Sequence, residues 1–89
     1  PQAERISAVA KKSPQHANSP ALVALGEAIR HYRSEAGLSQ EALALEAEID
    51  RSYLGGIERG EHNVAVMNLV KLASALGVTV SKLVQQARL

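Results

Sequence analysis

Residues 38–60, LSQEALALEAEIDRSYLGGIERG, hold two short apolar-periodic runs with too few residues between them for anything but a sharp turn. Ser39 precedes Gln40 and Glu41, and its hydroxyl can accept from a free backbone N–H at a helix start. An acid in that first turn also suits the positive end of the helix dipole. Leu43 and Ala47 recur at helical spacing, so one face can bury. Asp50 is a second capping residue and predicts a second helix from Arg51, with Leu54 and Ile57 as its apolar stripe. Gly60 follows as a stop residue able to take positive φ. Only Ala47, Glu48 and Ile49 remain between the two runs, so the helices must cross at a tight turn.

Two helices joined this way form the layout of a helix-turn-helix unit, whose second helix lies in the DNA major groove with its N-terminal residues at the base edges. Here those residues are Arg51 and Ser52. Arginine can donate two hydrogen bonds to guanine O6 and N7, and serine can donate or accept. Gly55 and Gly56 break the local rule, since each costs about 1 kcal/mol against alanine inside a helix. Two explanations stand open. The missing side chains let the helix lie close to the groove, or the helix is weak and frays at its end.

The segment resembles the helix-turn-helix domains of the Cro and phage-repressor (XRE) family, and is especially similar to the small controller proteins of restriction-modification systems. The resemblance runs from about Leu22 to Leu83, through GEAIRHYRSEAGLSQ, RSYLGGIERGEHN and LVKLASALGVTVSKL. It implies an all-α fold: a compact five-helix, lambda-repressor-like domain with a flexible or loosely helical N-terminal arm. It also implies roles. Gln40 opens the first helix of the pair and stands where a phosphate is met. Arg51, Ser52 and Gly56 fall at base-reading positions, and any contact at Gly56 is with backbone. Tyr53 and Arg59 flank the reading face within reach of phosphate. His62 and Asn63, in the following loop, match positions that contact the DNA backbone. Arg33 and Glu58 match a structural ion pair between the first helix and the reading helix. Ala44 matches a small residue that lets two helices cross closely. Glu48 departs from the pattern, because the family commonly has glycine there. If the turn needs positive φ, glutamate adds strain of about 1 kcal/mol.

Composition sets outer bounds. A chain of 89 residues holds one domain and a tail, and with two tyrosines as its only aromatics its core must be aliphatic. A chain this short buries a modest share of its surface, so dimerisation is a natural aid to stability. The absence of cysteine excludes disulfides and thiolate metal sites, which fits a cytoplasmic location. No apolar run approaches the roughly 20 residues that span a bilayer, and the N-terminus lacks the apolar core of a signal peptide. The net charge of +1 is low for a nucleic-acid binder, so its positive charge must be segregated to be useful.

Residues 1–18 are polar and include Pro14 and the pair Lys11–Lys12, with a weak helical stretch around Ile6 and Val9. They read as an arm, either solvated or gripping DNA. Residues 19–89 read as the domain. Ser19–Pro20 is a helix start, followed by Leu22, Leu25, Ile29, Tyr32 and Ala36 at spacings of three and four, with Gly37 as the stop. Past the reading helix, Val66, Leu69, Leu72, Ala73 and Leu76 form the stripe of a fourth helix that Gly77 ends, its start marked only by Asn63. Thr79 caps a fifth. There Leu83 is expected to face the core, with Val80, Val84 and Ala87 nearer a dimer seam. A two-fold dimer would set its reading helices about 34 Å apart, one DNA turn, on an operator with inverted symmetry.

Catalysis finds no support. His16, His31 and His62 are scattered, without a second ligand at metal spacing. Glu41, Glu46 and Glu48 line a solvated face, and Ser52 has no histidine near it to activate it. The sequence therefore predicts a dimeric, sequence-specific regulator of transcription that binds double-stranded DNA, without cofactor, metal or small-molecule substrate. The competing class is a protein-interaction module, such as an antitoxin on the same fold, favoured by the near-neutral charge and the apolar C-terminal helix. A fragment missing a sensing domain is a third reading, which the absence of a linker before Leu89 disfavours.

Overall fold

Ser19 opens the first helix by accepting the Leu22 N–H on its hydroxyl at 3.4 Å, with Pro20 supplying the fixed φ of the first turn. This computed structural model describes residues 16–89, which form α1 (Pro20–Glu35), α2 (Gln40–Ala47), α3 (Arg51–Glu58), α4 (Val66–Leu76) and α5 (Val80–Gln86). The described residues hold no strand. Ser39 and Thr79 cap α2 and α5 through the Ala42 and Lys82 N–H groups, each at 3.0 Å. Gly60 and Gly77 take positive φ after α3 and α4, as stop residues do.

One or two large aliphatic residues from each helix meet in the centre: Ile29, Leu43, Leu54, Ile57, Leu72 and Leu83 are essentially solvent-free. Burying each contributes about 1.5–3 kcal/mol relative to exposure. Tyr32, Leu38, Ile49, Val64, Val78 and Val80 pack around this centre from its edges. Helix α1 lies across the C-terminal half of α3 at Gly26, where no side chain intervenes.

Several expectations need correction. Ala47 is the last residue of α2 and part of the core, so the turn is Glu48 to Asp50 alone. Glu48 stands at φ 59°, the left-handed conformation that glycine would take freely. Its N–H and that of Ile49 return to the carbonyls of Leu45 and Ala44 and close the end of α2. Val66 does not belong to the buried stripe of α4. It is 70% exposed, because α4 starts there, uncapped by any side chain, and its first turn projects past the core. Ala87, expected nearer a dimer seam, is 8% exposed in its own protomer, packed inward one turn after Leu83, and Val80 also leans on the protomer's own core.

The folded unit reaches back to His16. Residues 16–18 form a turn in which the Asn18 N–H donates to the Gly60 carbonyl at 2.7 Å, three residues before the boundary expected at Ser19. The helical stretch expected around Ile6 and Val9 lies outside the described residues, as does most of the arm.

Candidate nucleic-acid interface

Asp50 fixes the start of α3. Its carboxylate accepts from the Ser52 N–H at 3.1 Å, the Tyr53 N–H at 3.3 Å and the Ser52 hydroxyl. The Ser52 hydroxyl bond, then the Tyr53 N–H, hold the Asp50 carboxyl below its ordinary range. Arg51 and Ser52 are both exposed at this end of the helix. Ser52 already gives its hydroxyl proton to Asp50, which leaves its oxygen an acceptor toward any ligand.

The other end of α3 is anchored by a buried acid. Glu58 has a side chain 1% exposed, and Arg33 of α1 holds it in a two-pronged bond, Nε to Oε2 at 2.7 Å and Nη2 to Oε1 at 3.1 Å. Arg33 Nη1 also donates to the Leu38 carbonyl at 3.0 Å, so one guanidinium ties α1, the α1–α2 loop and α3 together. Gln40 Nε2 supplies Glu58 with a further donor at 2.9 Å. Arg51 Nη1 in turn donates to Gln40 Oε1 at 3.4 Å.

The paired glycines have a reason that neither open explanation contained. A β-carbon on Gly56 would stand 2.5 Å from His62 Nε2, and one on Gly55 would stand 3.2 Å from Arg59 Nη1 and 3.7 Å from Gln40 Oε1. Both glycines are buried inside the protein's own fold, and α3 is intact through them. Gly56 is covered by an imidazole and does not stand at the helix surface. His62 also tilts against Tyr53, ring centroids 5.0 Å apart, and the Tyr53 hydroxyl accepts from Asn68 Nδ2 at 3.1 Å. The loop after α3 is thereby fastened to α3 and α4. Asn68 carries no sequence signal for this, since it reads as a polar residue on a solvated helix face.

Arg59 pairs with Glu61, Nε to Oε2 at 2.8 Å, which pushes the arginine's pKa further up. Asn63 is exposed in the loop that follows. Arg51, Ser52, Gln40, Arg59, His62 and Asn63 thus stand on α3, the start of α2 and the loop after α3, with Tyr53 half-buried behind His62. No group of three or more metal-ligating side chains occurs among the described residues, and no single described helix is long and apolar enough to cross a membrane.

Two short helices at a tight turn, the second displaying an arginine at its capped start and anchored through a buried acid, define a helix-turn-helix unit. The helix-turn-helix family model HTH_3 matches residues 29–83, and the chain belongs to this XRE-type family of DNA-binding transcription regulators, which are not enzymes. Among its relatives is the control protein C.MunI of Mycoplasma sp, 39% identical over 62 residues that make up 68% of this chain and 84% of that protein. The restriction-modification controller protein C.AhdI from Aeromonas hydrophila has a similar structure, with 48% identity and a TM-score of 0.69 over 70% of this chain and 94% of that one. The biofilm master regulator SinR, solved in complex with DNA, aligns with 38% identity and a TM-score of 0.65 over 67% of this chain and 97% of that one.

Proposed function

We propose that this regulator reads an operator of two inverted half-sites as a dimer, with α3 in the major groove of each half-site. The observation that carries the reading is Arg51: exposed, at the N-terminal end of α3, on a helix whose far end the Arg33–Glu58 pair fixes. A guanidinium there is placed to take guanine O6 and N7. Gln40, Arg59, His62 and Asn63 are the backbone contacts in this reading, and Ser52 is a second base contact working through its free lone pair. Gly56 contributes by seating His62, which makes it a support for the loop and not a contact.

The apolar surface available to a second copy lies on the outer face of α4, where Val66, Met67 and Val70 are exposed, and at half-buried Val84 of α5. Ala87 drops out of the seam because its own protomer buries it. A likeness to a protein solved with DNA and to controller proteins supports the same reading.

Selection of random duplexes by the pure protein, followed by sequencing, tests it. The expected result is an enriched motif with two-fold symmetry and half-sites about one helical turn apart. An asymmetric motif would remove the dimer. Enrichment of nothing would transfer the assignment to the protein-interaction module, for which the exposed Leu45 on α2 offers a contact.

A further inference from the structure

We infer that Arg30 of α1 is a phosphate contact, which carries the DNA interface beyond α2, α3 and the loop after them onto the first helix, a role that rests on the operator reading above.

Residues 16–89 carry seven Lys and Arg against eight Asp and Glu, so the folded unit has no cationic surplus to draw in a duplex. What counts is which cations remain available on the reading side. Arg33 is taken up by buried Glu58 and Arg59 by Glu61. Lys71 lines one groove with Glu46 and Glu48. Lys82 and Arg88 belong to α5 and its end, a helix that packs on α1 and α4. Arg51 and Arg30 are left, and the operator reading gives Arg51 to a base.

The register of α1 brings Arg30 to the site. Gly26, Arg30 and Arg33 follow at spacings of four and three, which puts them on one face of the helix. Gly26 lays that face against the Ile57 and Glu58 backbone of α3. Arg33 turns inward, its side chain 16% exposed, whereas Arg30 stays 63% exposed with Nε 4.0 Å from Glu58 Oε1. That separation is too long for a hydrogen bond. Arg30 is kept from closing it because Oε1 already accepts from Arg33 Nη2 at 3.1 Å and Gln40 Nε2 at 2.9 Å, which fills both of its lone pairs.

Two arginines around one carboxylate leave a net positive charge, and exposed Arg30 presents it to solvent. Gln40 and Arg30 approach the same carboxylate oxygen, so this guanidinium stands beside the residue that the operator reading gives to phosphate. A phosphate arriving at Gln40 meets a hydrated cation whose forked donors match its oxygens.

Arg30→Gln tests the contact and Arg30→Lys keeps its charge. The measurements are affinity for the selected duplex and for a scrambled one across a salt series, with Lys82→Gln as the control for loss of charge alone. Arg30→Gln is expected to weaken both duplexes by the same factor, about twofold to fivefold for each half-site. The slope of log affinity against log salt should fall by about 0.9 for each Arg30 removed. Arg30→Lys should keep the slope, Lys82→Gln should leave it unaltered, and Tm should match wild type in all three. Neutral methylphosphonates, placed at the phosphates of the selected duplex in turn, should locate one position per half-site that weakens wild type by that same factor and leaves Arg30→Gln unaffected.

An unaltered salt slope in Arg30→Gln would overturn the inference. So would a loss confined to the selected duplex, a fall in Tm like that of Arg33→Ala, or the absence of any methylphosphonate position that separates the two proteins. Wild-type protein that selects no duplex at all ends the operator reading and this contact with it. A wild type that selects its duplex, beside an Arg30→Gln protein with the same slope, ends the contact alone.

Discussion

Gly26 of α1 and Ile57 of α3 lie so close that a β-carbon on Gly26 would stand 2.5 Å from the Ile57 carbonyl oxygen and 2.6 Å from that of Glu58. Those atoms are backbone of the reading helix and cannot swing aside, so α1 and α3 would have to part. Gly26→Ala is expected to cost about 3 kcal/mol, the upper range for overpacking, and to lower Tm by more than about 10 °C. A thermal melt checks it, with Gly77→Ala as the comparison. At Gly77 there is open space around the absent side chain and only φ 72° to strain, so the loss there should be about 1 kcal/mol.

Glu48 carries the opposite liability. It holds φ 59° at the end of α2 with its side chain in solvent. Glu48→Gly should relieve the strain and stabilise the protein by about 0.5–1 kcal/mol, reduced somewhat by the freer unfolded chain. A melting temperature that falls would show that the glutamate side chain contributes something its exposure hides.

Removing Arg33 strands a buried carboxylate. Arg33→Ala should cost about 3 kcal/mol or more, since Gln40 alone is left to satisfy Glu58 at hydrogen-bond distance and the Arg30 Nε stands off at 4.0 Å. The paired change Arg33→Met with Glu58→Leu should recover most of that loss, because it removes both charges together. Denaturant midpoints of the three proteins decide the matter, and equal stability of wild type and Arg33→Ala would sink the ion pair as an anchor.

Arg51→Ala touches solvent and little else in the folded protein. Its expected cost is about 1–3 kcal/mol of affinity for the selected operator, concentrated at one base position, with Tm unchanged. If selected and scrambled duplexes weaken equally, the guanidinium meets phosphate.

Acid should loosen the start of α3. The Asp50 carboxyl titrates below its ordinary range when folded, chiefly because the Ser52 hydroxyl and Tyr53 N–H favour its charged form. A lowered native pKa means the stabilisation is complete above the unfolded value and disappears as pH falls through the native one. Asn can still cap but carries no charge. The Tm gap between wild type and Asp50→Asn should therefore be constant near neutrality and close below roughly pH 4. A gap independent of pH would mean that the charge at the cap contributes nothing.

The helices, their caps and their stops were legible in the sequence because each is decided within a few residues. Ser19, Ser39, Asp50 and Thr79 cap the N–H groups two or three positions on, and Gly60 and Gly77 supply the left-handed turn where a helix ends. The positions of Arg51 and Ser52 at a helix start follow from the same local rules. Tertiary structure decided what local rules do not reach. Whether a stripe residue is buried depends on where its helix ends relative to its neighbours, which left Val66 outside and drew Ala87 in. Why two glycines interrupt α3 depends on His62 and Gln40, six and fifteen residues away from the glycine that each lies nearest, on separate elements. Caps are short-range hydrogen bonds along one chain segment. Close approach is a property of crossing helices, and only their packed arrangement brings Gln40 between Glu58 and Arg51.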